Sequence, residues 1–324
     1  MHPGIFQIAP ECVTGIGHVE FFKWELNGYL VVPGVMDPEW LAKANEAVDL
    51  NQDSIEVGGV LAGESRTQEG TGRPLLGGLS ELLGAQGEAF QRMLAHPAVV
   101  ARLNWMGGSG YRCGGGTLFC AEPGTSGHTL HDGNESKQYN RGYDYKNGRS
   151  FCETVTVAWQ LRDVEAGMGG FACVPGSHKT QYPMPRGIRE CDDTMGIVAQ
   201  PVMKAGSVLF FMDGGCSHGA LAWRHSEQRR AVLVKYQSRN NNWGGGAIDP
   251  RDRWMEQTVD GMTEAEFAVM RGPERYGREN TVPRLGIDLE TGEVGVTTDP
   301  GADTYPSKVA AAPGAPNKKM AANL

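Results

Sequence analysis

The sequence predicts a mainly β fold, a barrel or sandwich with flanking helices. From Tyr111 onward, short apolar or alternating runs are separated by glycine and proline turns, a spacing that indicates a sandwich or barrel rather than βαβ units. The 46 glycines among 324 residues suit many turns and close approaches of the backbone. Helical patterns are concentrated in the first third of the chain. No repeat of fixed period indicates a solenoid or a propeller.

The first third of the chain predicts helices around one short strand. Residues 18–52 read as helix, short strand and helix. Asp37 followed by Pro38 is a good start for the second of these helices. The aspartate side chain accepts a hydrogen bond from an unpaired backbone N–H of the first turn, and proline has no backbone N–H that would need a partner there. A further helical region covers residues 80–106, and Pro97 should end or kink it.

The predicted strands follow in the middle of the chain, and an extension closes it. The strands cover residues 116–122, 154–161, 169–176, 197–203, 207–212 and 230–237. We assign residues 1–243 to one domain with its N-terminal helices and residues 244–324 to an extension. Within the extension, residues 262–272 predict a short helix packed on the barrel, and the proline-containing, small-residue tail from about residue 301 is predicted to be disordered.

Composition excludes several classes of function. The net charge is -8 and the basic residues form no stripe, which argues against nucleic acid as a partner. Seven scattered cysteines without a Cys-x-x-Cys pair predict neither a disulfide framework nor a zinc finger. No apolar run approaches the ~20 residues that a membrane span needs. We therefore expect a cytoplasmic protein that acts on a small molecule, and the sequence gives no indication of its oligomeric state.

Two histidines and an arginine are the strongest candidates for chemistry. His131 in GHTLHDGNES and His218 in DGGCSHGALAW each follow a predicted strand, beside glycines that let a ligand approach the backbone. Arg229 comes eleven residues after His218, and in an antiparallel hairpin this spacing brings the arginine back beside the histidine. An arginine grips a carboxylate with two parallel hydrogen bonds. Arg230 should point to the opposite face of the strand.

Three sequence blocks carry a resemblance to a known family. FFKWELNGYLVVPGVMDPEWL, VAWQLRDVEAGMGGFACVPGSHK and KAGSVLFFMDGGCSHGALAW, the last followed by Arg229, occur in this order over about residues 18–240. Together they resemble the phytanoyl-CoA dioxygenase family of mononuclear non-haem iron oxygenases. The resemblance implies a double-stranded β-helix core, a jelly-roll of the cupin type. It also implies Fe(II), 2-oxoglutarate and O2 as cofactors.

The same resemblance assigns roles to individual residues. It implies that His131 and His218 are iron ligands and that Arg229 anchors 2-oxoglutarate, with Arg230 as the weaker choice. His178, in the Pro-Gly-Ser-His signature, belongs to a structural turn in the family, so no catalytic role is assigned to it.

The third iron ligand is where this chain departs from the family. The family motif is His-x-Asp, which completes a facial triad of two histidines and one carboxylate, whereas Gly133 holds the carboxylate position here. An open position at Gly133, filled by water or a halide such as chloride, ranks first. Asp132 ranks second, because it should point away unless a bulge re-aims it, and Glu135 ranks third. His128 is the weakest candidate, since His-x-x-His on an extended strand should place its two side chains on opposite faces.

Three functions remain compatible with these residues. The leading hypothesis is hydroxylation of an aliphatic C–H bond of a small molecule. One alternative is a 2-oxoglutarate-dependent radical halogenase, which resembles this chain in its His-x-Gly pattern and binds chloride in place of the carboxylate. The second alternative is a catalytically inactive, cupin-like binding protein, because a fold alone does not guarantee activity.

Overall fold

Two antiparallel sheets enclose a cavity in the computed structural model of the protein. The structure describes residues 17–76, 87–108, 110–133, 142–146, 149–239, 241, 261–272, 283–288 and 290–298. Within these residues the helices are α1 (His18–Asn27), α2 (Pro38–Leu50), α3 (Glu88–Gln91), α4 (Pro97–Met106), α5 (Arg186–Arg189) and α6 (Glu264–Met270). The strands are β1 (Tyr29–Val32), β2 (Glu56–Val57), β3 (Pro74–Leu76), β4 (Tyr111–Ala121), β5 (His128–His131), β6 (Tyr143–Lys146), β7 (Arg149–Cys152), β8 (Thr154–Gln160), β9 (Gly170–Cys173), β10 (Val208–Met212), β11 (His218–Leu221), β12 (Arg229–Ser238), β13 (Pro283–Ile287) and β14 (Val294–Thr298).

The larger sheet has seven strands in the order β1-β10-β8-β12-β4-β3-β2, and the smaller sheet has three in the order β5-β11-β9. Two separate hairpins join β6 to β7 and β13 to β14. Strand β12 lies at the centre of the larger sheet and pairs with both β4 and β8. This arrangement confirms the double-stranded β-helix expected from the sequence.

Most predicted elements agree with the structure, and one differs. Residues 197–203 form no strand, since only the isolated bridges Cys173↔Ala199 and Val164↔Met203 pair there. Pro201 interrupts this run, because proline has no amide hydrogen to give to a ladder. The helical region predicted over residues 80–106 is interrupted before Pro97 as expected, and Pro97 itself begins α4. Residues 80–86 lie outside the described residues. The tail from residue 301 lies outside the described residues.

The N-terminal helices cover the outer face of the larger sheet through aromatic packing. Helix α2 begins as predicted, with the Asp37 carboxylate accepting a hydrogen bond from the Trp40 amide at 2.8 Å. The buried Trp40 ring then meets Trp159 of β8 edge to face at 5.2 Å between centroids. This packing buries large apolar surfaces, which is the main source of favourable folding free energy. Among the described helices, none is long and apolar enough to cross a membrane.

His96 at the start of α4 makes folding stability depend on pH. Its Nδ1 accepts a hydrogen bond from the Ala98 amide at 3.2 Å, and its ring stacks on Trp40. Burial, followed by the charges of Arg92 and Arg102, lowers the pKa of His96 to about 4. The unfolded histidine has a pKa of about 6.5. The folded protein therefore holds His96 neutral, and its contribution to stability is present above about pH 6.5 and is lost as pH falls towards 4.

Replacing His96 with asparagine should make folding less sensitive to acid. Asparagine keeps a hydrogen-bond acceptor at the helix start but does not titrate. From about pH 7 to about pH 4.5, we expect the free energy of unfolding of the wild type to fall further than that of His96→Asn, by on the order of 2 kcal/mol after allowance for partial exposure. Urea unfolding at both pH values measures the difference. Equal losses in the two proteins would show that His96 is not the titrating group.

Candidate metal centre

His218 begins β11, and its ring is held by one hydrogen bond and two aromatic neighbours. Its Nδ1 lies 2.8 Å from the carbonyl oxygen of Cys216, which holds Nδ1 as the donor and leaves the Nε2 lone pair for another partner. Phe211 packs against the ring at 4.6 Å between centroids, and Phe171 stacks at 6.2 Å. Burial, with a smaller effect from His131, lowers the pKa of His218 to about 4. A neutral imidazole with a fixed free nitrogen is the form that binds metals.

His131 lies directly opposite His218 in the smaller sheet. The two residues are register partners between β5 and β11, and their ring centroids are 4.4 Å apart. His128 lies on the same side as His131, with 4.4 Å between their centroids, and both line the cavity. The expectation that His128 faces the opposite side is therefore wrong. The pairing shifts by one residue between His218 and Ala220, and this bulge breaks the alternation of β5.

Asp132 is brought to the histidines by an unusual backbone conformation. Its φ is +57°, in the left-handed region, and one carboxylate oxygen lies 2.6 Å from Nδ1 of His131. Asp132 thus stands at the centre either as a ligand beside His131 or as the acceptor that orients the imidazole. The left-handed turn aims the Asp132 side chain at the His131 ring rather than away from it.

Gly133 faces away from the histidine pair. Its φ is +97°, and a Cβ atom added there would lie 2.2 Å from Oγ of Ser217. Ser217 lines a separate, smaller pocket rather than the cavity of the histidines. On this geometry we propose Asp132, ranked second from the sequence, ahead of an open position at Gly133. Glu135, the third choice, lies outside the described residues.

The donor set fits a divalent metal ion of the iron type. His131, Asp132 and His218 each offer one ligand atom, and these atoms lie within 4.8 Å of one another. Ligands at about 2 Å from one ion lie within about 4 Å of each other, so small side-chain rotations close the remaining gap. Two imidazoles and one carboxylate that leave coordination positions free are typical of non-haem Fe(II) oxygenases. The centre is thus chemically suited to Fe(II).

The affinity for Fe(II) should depend on His131 and much less on its neighbour His128. We expect His131→Ala to weaken binding of Fe(II) at least tenfold, because it removes one of the clustered donors. His128→Ala should change the affinity less than about threefold, since His128 does not belong to that donor cluster. Anaerobic competition with a chelator measures both affinities. Equal losses in the two variants would show that His128 is also a ligand.

Arg229 begins β12 and extends into the cavity. Its side chain is buried, its Nε has no hydrogen-bond partner, and Nε approaches Gly170 so closely that a Cβ there would lie 2.8 Å away. Burial lowers the pKa of Arg229 to about 10, so the guanidinium keeps its charge at neutral pH. Arg230 points to the other side, where it pairs with Asp49 and donates to Asn45. Of these two neighbours, Arg229 is therefore the one placed to bind a ligand in the cavity.

Sequence reasoning missed a buried ion pair beside the histidines. Asp213 is fully buried, and its carboxylate lies 2.7 Å from Nζ of Lys235 and accepts a hydrogen bond from Thr156 at 2.8 Å. Its other oxygen is 3.8 Å from Nε2 of His218. Two signals were available: Asp213 directly follows the strand SVLFFM, and Lys235 shares the phase of Arg229 in β12. No catalytic role was expected for His178. It is buried in a turn, where its ring contacts the carbonyl oxygen of Glu25.

The comparison with protein families identifies the chain. A model described as phytanoyl-CoA dioxygenase (PhyH) matches residues 24–231. The chain belongs to the phytanoyl-CoA dioxygenase family. This membership confirms the predicted enzyme class, an oxygenase of the iron- and 2-oxoglutarate-dependent superfamily. The match does not extend to the halogenase-like variant that the His-x-Gly pattern suggested. No curated protein matches the chain.

Solved structures share the fold of this phytanoyl-CoA dioxygenase family member at low identity. HygX from Streptomyces hygroscopicus, with nickel and 2-oxoglutarate bound, has a TM-score of 0.56 and 18% identity, covering 69% of this chain and 87% of HygX. EctD from S. alaskensis, with 2-oxoglutarate and 5-hydroxyectoine, has a TM-score of 0.51 and 15% identity, covering 70% and 78%. The 2-oxoglutarate-dependent epimerase SnoN from nogalamycin biosynthesis has a TM-score of 0.50 and 19% identity, covering 68% and 83%. At these identities the likeness establishes the fold alone.

Proposed function

We propose that this family member is a non-haem Fe(II)- and 2-oxoglutarate-dependent oxygenase that hydroxylates an aliphatic C–H bond of a small molecule. The observation that carries the proposal is that one cavity contains both a cluster of metal-binding side chains and a buried arginine that can bind a carboxylate. His131 and His218 line it, Asp132 lies against His131, and the buried Arg229 lines it with an unpartnered Nε. HygX, with the same fold, binds 2-oxoglutarate with nickel and also binds iron.

The residues of the chain would divide the work of such a reaction. His131, His218 and Asp132 would hold Fe(II), and Arg229 would bind the remote carboxylate of 2-oxoglutarate with paired hydrogen bonds. When bound, these cofactors supply the oxidation: one atom of O2 enters 2-oxoglutarate, which leaves as succinate and CO2, and the other atom enters a C–H bond of the substrate. The protein contributes orientation and a cavity that limits access of water.

The shape and lining of the cavity support a small aliphatic substrate. The cavity has a volume of about 480 Å³, within the usual range for small-molecule sites. Phe119, Phe171, Phe211 and Leu233 supply apolar walls around the metal centre. On the β4 side, nothing lies within 4 Å of where a Cβ of Gly115 would be, which leaves room in the cavity wall. An apolar cavity of this size holds a co-substrate and a small molecule together.

Formation of succinate tests the proposal. The protein is incubated with Fe(II), 2-oxoglutarate and O2, and succinate is measured by NMR. We expect slow succinate formation by the wild type even without substrate, its loss in His218→Ala and its retention in His225→Ala, a matched change at a histidine outside the cavity. If no succinate forms with the wild type, with or without a panel of candidate substrates, the chain is instead an inactive binding protein.

A further inference from the structure

Arg73 is a second arginine in the cavity, and the proposed function gives it no role. It directly precedes β3 and lines the cavity wall, with its guanidinium carbon 5.6 Å from the centre of the Phe119 ring. Its Nε is buried and has no hydrogen-bond partner, and no carboxylate among the described residues pairs with it. Burial lowers the pKa of Arg73, but the guanidinium remains charged at neutral pH. Arg73 is half-buried, and its buried Nε has lost water without gaining a protein partner, which favours an anionic ligand beside it.

The other charges in the cavity wall are compensated. Lys235 is paired with Asp213 at 2.7 Å. Under the proposed function, 2-oxoglutarate supplies the anion for Arg229, and its second carboxylate together with Asp132 balances Fe(II). A cavity loaded with both cofactors thus retains one uncompensated positive charge, at Arg73.

We propose that the substrate carries an anionic group, a carboxylate or a phosphate ester, which Arg73 binds while an aliphatic portion lies against the apolar wall. This inference rests on the proposed function and names the substrate class for that site. The guanidinium of Arg73 lies over the Phe119 ring, and a guanidinium offers a planar fork of donors that matches a carboxylate or phosphate. The apolar side chains of Phe171 and Leu233 complete a surface that fits a short hydrocarbon chain.

Binding of three eight-carbon probes tests this assignment. Octanoate, octyl phosphate and octanamide share a chain length and differ in charge and head group. Each is titrated by calorimetry, without O2, into wild-type protein loaded with Fe(II) and 2-oxoglutarate. We expect at least one anion to bind about tenfold or more tightly than octanamide, since hydrogen bonds to charged groups are the stronger ones. The stronger anion identifies the head group that Arg73 recognises.

Variants decide whether Arg73 is the source of the preference. Arg73→Met should abolish the preference for the anion while changing octanamide binding less than about twofold, and Arg73→Lys should retain part of it. Arg66→Met is the matched control, because Arg66 is exposed on the same segment and outside the cavity. No preference in the wild type, or an unchanged preference in Arg73→Met, overturns the proposal.

A separate titration with 2-oxoglutarate distinguishes this failure from failure of the proposed function. If Arg73→Met weakens binding of 2-oxoglutarate as strongly as that of the anionic probe, Arg73 is part of the co-substrate site. The substrate assignment then fails while the oxygenase function stands. If the wild type binds neither Fe(II) nor 2-oxoglutarate, the proposed function fails, and the substrate assignment fails with it.

Discussion

Arg229→Leu should weaken binding of 2-oxoglutarate about 100-fold or more. Arg229 is buried in the cavity, so the remote carboxylate of the co-substrate would be desolvated there without its cation. Truncating one partner of a buried, hydrogen-bonded charge pair costs about 2–5 kcal/mol, and about 2.8 kcal/mol corresponds to a factor of 100. Calorimetric titration of the Fe(II)-loaded, O2-free protein measures the loss. Binding of Fe(II) itself should remain within about threefold of wild type.

Arg230→Leu is the matched control on the neighbouring position. Arg230 lies outside the cavity and holds α2 to the sheet through Asp49 and Asn45. This change should leave binding of 2-oxoglutarate unaltered and should lower the free energy of unfolding by about 1–3 kcal/mol, through loss of buried hydrogen bonds. The assignment would be contradicted if Arg230→Leu abolished co-substrate binding and Arg229→Leu did not.

Asp132→Ala should weaken binding of Fe(II) at least tenfold. Its carboxylate lies 2.6 Å from the His131 ring nitrogen, so the substitution removes either a ligand or the group that orients one. Loss of an outer-sphere partner alone usually costs about 10–100-fold in metal affinity, and loss of a ligand costs at least as much. If Asp132 supplies the anion at the centre, chloride should not alter the visible absorption of the wild-type complex with Fe(II) and 2-oxoglutarate.

Substitution of Gly133 tests the alternative that the open position of the metal centre lies there. We expect Gly133→Asp to destabilise the fold rather than to supply a ligand, because the backbone there has φ of +97° and the new Cβ would collide with Ser217. Thermal unfolding measures the loss. If instead chloride shifts the absorption of the wild type, Asp132→Ala binds Fe(II) normally and Gly133→Asp removes the chloride effect, the open position lies at Gly133. The halogenase alternative would then be correct.

The fold was predictable because its signals are local. Runs such as TVTVAWQ and VLFFM have the length and β-branched or aromatic content of buried strands, and both form strands in the larger sheet. The start of α2 was visible as Asp37 and Pro38. Residues 197–203 were misread as a strand because apolar content alone does not reveal whether a partner strand pairs along the whole run.

The site was only partly predictable, because its geometry depends on long-range pairing. Strand alternation predicts that Arg229 and Arg230 point to opposite faces of β12. In the structure Arg229 lines the cavity, and Arg230 points away from it. The positions of Asp132 and His128 do not follow from alternation. They depend on a bulge in the pairing with β11 and on a left-handed backbone at Asp132. Arg73 has no local signal, since only the packing of β3 on β4 brings it to the cavity.

Anaerobic titration of the protein with Fe(II) and 2-oxoglutarate, followed by visible absorption, is the decisive test of the iron and 2-oxoglutarate site. We expect a metal-to-ligand charge-transfer band that appears only when both cofactors are present. The band should saturate at one equivalent of each, and it should be absent from His218→Ala. A wild-type protein that is folded, yet shows no such band at saturating concentrations of both cofactors, would contradict the assignment of this cavity as an iron and 2-oxoglutarate site.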